Sequence, residues 1–240
     1  MTTIGKRSIS LVLLACAALC ACRRRPPAES AATGELAACP PGVGMISSGE
    51  TGDGRTNAVA GRGGYWWTMA DQAGSSIEPG ATSGGGTFTM TPGGANGTKF
   101  AARMDGRTAD GRLVFAGMGL NFTDPRGAYD ASKFGGLSFW AKRGAGSTGR
   151  VRLHVPDKNT DPEGHVCAEC FNDFGLDLQL GERWTRYTVP FSALRQVDGW
   201  GSPRPAHVDP SAIYSLRWQV VEPGVAFDIW VDEVQLTGCR

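Results

Sequence analysis

The stretch Gly164-His165-Val166-Cys167-Ala168-Glu169-Cys170-Phe171-Asn172-Asp173 sets two cysteines three positions apart, with a histidine ahead and an aspartate behind. Three chemistries use such spacing. A Cys-x-x-Cys pair at a helix N-terminus in a βαβ unit is a redox centre. His165, Cys167 and Cys170, completed by His154 or Asp173, would make a tetrahedral zinc set. Two oxidised thiols would make a local disulfide clip. Strand-like sequence on both sides removes the redox context, and no second Cys-x-x-Cys pair supports a zinc site. The carboxylate pairs that come nearest to the acid and base of glycoside hydrolysis are Asp173 with Asp177 and Asp157 with Asp161. They stand beside glycine and proline, where aspartate usually shapes a turn. There is no Gly-x-Ser-x-Gly elbow for a serine nucleophile. GGANGTK lacks the lysine followed by serine or threonine that a phosphate loop needs. The expectation is a protein without a catalytic centre.

The choice among the three cysteine chemistries turns on compartment, which the first residues address. Lys6 and Arg7 precede an apolar run over 9–21, too short to span a bilayer, and small residues lie near its end. That is the pattern of a secretion signal. Its last residues, Leu19-Cys20-Ala21-Cys22, resemble the lipobox of bacterial lipoproteins, so residues 1–22 are expected to be a signal with Cys22 lipidated and Cys16 the weaker alternative. Residues 23–38, RRRPPAESAATGELAA, hold almost no large apolar side chain and read as a flexible tether. The expected location is the bacterial cell envelope, at the outer membrane or cell surface rather than the inner membrane, with membrane contact through the lipid anchor only.

Beyond the signal, Cys39, Cys167, Cys170 and Cys239 remain of the seven cysteines. An oxidising compartment favours full pairing, and four cysteines allow three connectivities. A bond between Cys39 and Cys239 would tie the ends of one domain together and leave Cys167 to pair with Cys170. Residues 39–240 are expected to be a single domain. Thirty-five glycines, 14 prolines and seven tryptophans in 240 residues favour short strands joined by tight turns. A net charge of +1 excludes nucleic acid as the natural partner. Strand-like runs recur at 65–69, 87–91, 99–104, 112–116, 137–142, 150–155, 176–180, 184–189, 213–221 and 226–236, with no long amphipathic helix. The fold class expected is all-β, an antiparallel two-sheet β-sandwich or barrel.

Alternation divides these runs into an inner and an outer set. Leu137, Phe139, Val151, Leu153, Leu176, Leu178, Leu216, Trp218, Phe227 and Ile229 fall on the inner side. The outer set mixes Trp140 and Trp230 with Arg152, His154, Asp177, Gln179, Arg217 and Gln219. Flat rings beside bidentate polar groups suit a sugar, whose faces stack and whose hydroxyls bond.

With the strands laid out, YDASKFGGLSFWAKR, ERWTRYTVPFSALRQVDGWG and RWQVVEPGVAFDIWVDEVQL resemble the second half of carbohydrate-binding β-sandwich modules. The type is the galactose-binding-like jelly roll, similar to family 11 carbohydrate-binding modules. The likeness covers about 61–236, and more of the pattern from 129 onward. It implies a two-sheet jelly roll whose concave face binds a polysaccharide or oligosaccharide through Trp140, Arg152, His154, Asp177, Gln179, Arg217 and Gln219. It also implies a structural calcium, for which Glu50, Asp53 and Asp232 are the carboxylates at hand. The alternative is a structural or protein-interaction envelope lipoprotein whose face is closed by 65–67 or by the Asp198-Gly199-Trp200 loop. A glycoside hydrolase, or an accessory domain of one, is the second alternative.

Overall fold

The computed structural model describes residues 36–80 and 88–240. The signal with Cys22, residues 23–35 of the tether and Thr87 at the start of one expected strand lie outside the described residues. Among the described residues the chain forms twelve strands and no α-helix. They are β1 (Met45–Ser47), β2 (Trp66–Ala70), β3 (Ser76–Glu78), β4 (Thr91–Pro92), β5 (Phe100–Arg107) and β6 (Ala116–Asn121), then β7 (Gly136–Arg143), β8 (Arg150–Val155), β9 (Phe174–Gln179), β10 (Thr185–Pro190), β11 (Ser215–Val220) and β12 (Ala226–Thr237).

Two antiparallel sheets pack face to face. One has seven strands along the path β10-β7-β12-β5-β3, with β1 beside β12 and β4 beside β5; the other has five, ordered β2-β6-β11-β8-β9. The expected all-β two-sheet sandwich is the fold observed. Its core is the inner set of the alternation: Leu137, Phe139, Leu153, Leu216, Trp218 and Ile229 are fully buried. Trp218 of the five-stranded sheet stacks on Trp66 at 5.6 Å and meets Phe139 of the opposite sheet edge-on at 5.2 Å. Each such side chain contributes about 1.5–3 kcal/mol on burial, which pins the register.

Two departures from the sequence reading, and one break in strict alternation, have physical causes. The strand expected at 112–116 lies instead at Ala116–Asn121. Its AGMGLN sequence hides a strand because the residues facing outward between Ala116, Met118 and Leu120 are glycines. β1 and β3 were too short to register as alternating runs. In β12, both Val231 and Val234 are buried although three apart, because the pairing with β7 shifts between Asp232 and Gln235 and Glu233 takes a positive φ of 45°.

Both disulfides are present. Cys39 joins Cys239, with Cα atoms 5.2 Å apart, closing the described chain end to end. Cys167 joins Cys170 in the connection between β8 and β9, so neither sulfur is free for zinc or redox chemistry.

Candidate functional site

The outer face of the five-stranded sheet is organised by its register. One rung reads Trp67, Gly119, Arg217, His154, Gly175, from β2 to β9. The next reads Met69, Gly117, Gln219, Arg152, Asp177, and beyond it Arg150 faces Gln179. Six of the seven expected glycan contacts, Arg152, His154, Asp177, Gln179, Arg217 and Gln219, therefore share one face. Trp140 does not. It sits on β7, opposite Arg186 and Asp232, on the outer face of the other sheet, where its indole N–H donates to Glu233. Alternation separates inside from outside, but it does not say which sheet an outward residue belongs to.

The glycines in these rungs let side chains lie flat on the sheet. A Cβ on Gly119 would sit 2.7 Å from the Trp67 ring and 2.9 Å from Cγ of Arg217. Their absence of a side chain allows the indole and the arginine stem to cover β6 from both sides. Trp67 Nε1 donates to Asn121 Oδ1 at 2.9 Å, which fixes the ring. Gly175 likewise makes room for the Arg152 guanidinium, which binds Asp177 at 2.9 Å and the Arg195 carbonyl at 2.7 Å.

A cavity of about 340 Å³ opens on this face, lined by Tyr65, Trp67, Asn121, Ser215 and Arg217 from the sheet and Arg126, Asp161, Pro162, Glu163 and Phe171 from the loops. Trp66, between its two aromatic neighbours in sequence, points the other way into the core. So 65–67 lines the face instead of closing it. Tyr65 and Trp67 are the site residues the sequence reading did not assign, and their spacing of two around a core tryptophan was the available signal. Of the loop residues, Asp161 was named only as a turn carboxylate; Arg126, Glu163 and Phe171 were not singled out, since their placement depends on long-range pairing.

The loop wall is tied down at several points. Asp157 accepts from Asn159 N at 2.9 Å and from Asp209 N at 2.8 Å, a turn-shaping role. Asn172 donates to the Val197 and Trp200 carbonyls at 2.8 and 2.6 Å. The clip between Cys167 and Cys170 therefore lies between Glu163 and Phe171, which both line the cavity. Phe171 is 61% exposed at the rim and held at a φ of 74°.

The charges of the site are neutralised internally. Arg126 binds Asp161 and, at 2.5 Å, Glu163, and lies 5.2 Å above the Tyr214 ring. Burial works against its charge, but the two carboxylates outweigh it and raise its pKa. Arg217 is ion-paired with the buried Asp173, and burial pulls its pKa down to about 10. His154 has Asp173 3.7 Å from Nδ1, yet burial, then the charges of Arg217 and Arg152, hold its pKa well below the ordinary 6.5. It is neutral at pH 7.

Each of the calcium carboxylates is held by hydrogen bonds, and the charge of Glu50 reaches Asp232, whose pKa burial and then Glu50 raise. Asp232 accepts from Ala95 N, Thr98 Oγ1 and Glu233 N at 2.6–2.7 Å. Glu50 accepts from Lys99 N at 2.8 Å and Asp53 from Thr51 Oγ1 at 2.7 Å. Among the described residues no three His, Cys, Asp or Glu side chains converge. Calcium needs six to eight oxygens with several carboxylates together. Glu50 and Asp232 are the two whose charges meet, and backbone carbonyls would have to supply most of the remaining oxygens.

The sandwich has the fold of a carbohydrate-binding-module-like β-sandwich. Among solved structures, the chain is similar to the family 11 carbohydrate-binding module from Clostridium thermocellum in complex with a β-1,3-1,4-mixed-linked tetrasaccharide. The TM-score is 0.54 at 16% identity, over 82% of this chain and 95% of that one. A solution structure of CtCBM11 gives 0.55 at 15% identity over 84% and 99%. A family 30 module of the cellulosomal cellulase Cel9D-Cel44B of Clostridium thermocellum gives 0.52 at 14% identity over 81% and 96%. At these identities the likeness is one of fold. No family model matches the sequence, and no curated protein matches it.

Proposed function

We propose that this protein binds glycans without acting on them, through the cavity and rungs of the five-stranded sheet. The observation that carries the reading is the Trp67 ring laid flat over Gly119 beside Arg217, with Asn121 and Ser215 within the same cavity. A sugar would stack on the indole and exchange hydroxyl hydrogen bonds with the polar groups around it. Both guanidinium groups of the cavity are already paired with carboxylates, so a neutral saccharide suits it better than a uronate or sulfate. Hydrolysis would need two carboxyl groups held ~5–9.5 Å apart across the substrate. The two that line the cavity, Asp161 and Glu163, both serve Arg126.

The similar modules support this reading by fold, and one of them was solved with a mixed-linked tetrasaccharide. Affinity electrophoresis against a polysaccharide panel that includes β-1,3-1,4-glucan tests it. Retardation of the native domain, lost in Trp67→Ala and kept in Trp184→Ala, is the expected result; no retardation on any polymer overturns it.

The lipobox-like Leu19-Cys20-Ala21-Cys22 supports export and lipid anchoring at Cys22 in a bacterial cell envelope, with 23–38 as spacer. Weak single sites on many anchored copies would hold one polymer by avidity. The intact mass of the N-terminus after export checks this, and an unmodified cysteine at the cleavage site rules it out.

A further inference from the structure

We infer that the cavity receives the end of a saccharide chain and not its interior. This rests on the glycan reading of the same site and adds a direction to it. β6 ends and β11 begins at one edge of the face, where Asn121 pairs with Ser215. Just beyond, Arg126 from the β6–β7 connection reaches Asp161 and Glu163 from the β8–β9 connection, over the Tyr214 ring at the foot of β11. Two loops on either side of β11 are thus strapped together by a two-carboxylate ion pair, and the strap closes that edge. Among the described residues the opposite edge is more open: its ion pair, Arg150 with Glu222 at 3.6 Å, has an arginine 74% exposed, Asp177 is 82% exposed and Gln219 is partly exposed.

Among the described residues, buried polar atoms without a partner run along this face, on Arg152, His154 and Arg217, and the one at the closed edge belongs to Ser215. Ser215 is 1% exposed and lines the cavity, yet its Oγ has no hydrogen-bond partner among the described residues. Arg217 Nε, in the same wall, is unpartnered as well. A buried hydroxyl without a partner costs about 1–3 kcal/mol, which a ligand hydroxyl at that spot would recover. A chain laid along β11 enters over Gln219, passes the Trp67 ring, and stops at the strap with its last hydroxyls on Ser215. A volume of about 340 Å³ is near the lower end of small-molecule sites and suits a terminal unit better than a polymer gripped along its length.

Titration calorimetry of the full exported domain separates the two modes. The probes are three neutral polymers, mixed-linked β-1,3-1,4-glucan, galactan and mannan, each whole and after graded endo-hydrolysis at constant total sugar. End recognition makes the sites titrated per gram of a bound polymer rise in proportion to its chain ends, so tenfold shorter chains bind about tenfold more protein. Ser215→Ala should weaken the short oligosaccharides several-fold while circular dichroism and thermal unfolding stay native. A bound polymer whose capacity per gram is unchanged, or falls, as it is shortened overturns the inference and leaves the glycan reading standing. Absence of heat with every whole and cut polymer overturns both.

Discussion

On the seven-stranded sheet one outward rung runs Arg103, Trp230, Lys142, with Trp184, just before β10, beside the lysine; on the five-stranded sheet the corresponding rung runs Trp67, Gly119, Arg217, His154, Gly175. Both mix indoles with cations, and sequence alternation places both outside. In the first, Lys142 Nζ lies 4.9 Å from Trp184 and 4.6 Å from Trp230, and Arg103 lies 4.9 Å from the other reach of Trp230. Asp228 completes it with a 2.8 Å bond to Arg103. Every ring is used by an internal cation. In the second, glycines replace the neighbours, the ring lies down instead of being clasped, and Arg217 and His154, with Ser215 in the next rung, keep polar atoms unpaired. An aromatic and charged outer face is therefore not by itself a site. What distinguishes the two is spare bonding capacity held open by glycine.

The widest gap between the two faces should appear in stability when one acid is removed from each. Asp173 is buried against Arg217, so Asp173→Ala leaves an uncompensated buried charge and should cost about 3–5 kcal/mol in denaturant unfolding. Asp228→Ala breaks a pair whose side chains are 32% and 25% exposed, and should cost less than about 1 kcal/mol. Equal losses would mean that the two ion pairs are equivalent and the comparison fails.

Binding should divide the faces in the same direction. Trp67→Ala removes the stacking ring and should weaken a bound oligosaccharide by about 2 kcal/mol, or ~30-fold, as anchor residues do. Trp230→Ala should leave the affinity unchanged within twofold. Calorimetry with both variants measures it, and a loss in Trp230→Ala would move the site to the other sheet.

How much of this was legible beforehand follows from the residues. The sandwich was readable because Val151, Leu153 and Val155, or Leu216, Trp218 and Val220, alternate cleanly and are all buried. Six face residues were legible for the same reason. Trp140 was assigned to the wrong sheet because period-two alternation carries no information on sheet membership, which depends on pairing over more than 40 residues, as with Arg186 and Trp140. β6 was misplaced because the glycines that make the site remove the pattern by which a strand is recognised. The strap of Arg126, Asp161 and Glu163 was not legible: Asp161 drew notice as a turn carboxylate, but its pairing with Arg126 joins two loops across β11.

His154 gives a titration handle present on only one of the two rungs. Its folded pKa is depressed, so below pH 6.5 the unfolded chain takes up a proton that the folded chain refuses. Stability then falls as pH drops through the window below 6.5, by up to about 1.4 kcal/mol per unit. His154→Gln should flatten this part of the profile between pH 7 and 5.5. A slope unchanged by the substitution would show that His154 is not held neutral between Arg152 and Arg217.

The smallest effect tests whether the clasped rung is clasped by its rings. If Lys142 gains from lying between Trp184 and Trp230, a double-mutant cycle of Lys142→Ala with Trp184→Ala should show a coupling of about 0.5–1 kcal/mol in unfolding free energy. The same cycle should leave glycan affinity flat, because neither residue lines the cavity. The matching cycle on the other face, Trp67→Ala with Arg217→Met, should be coupled in binding, since one ligand spans the ring and the guanidinium. A seven-stranded face coupled in stability alone, against a five-stranded face coupled in binding, is the pattern that separates a finished surface from one built to be completed by a ligand.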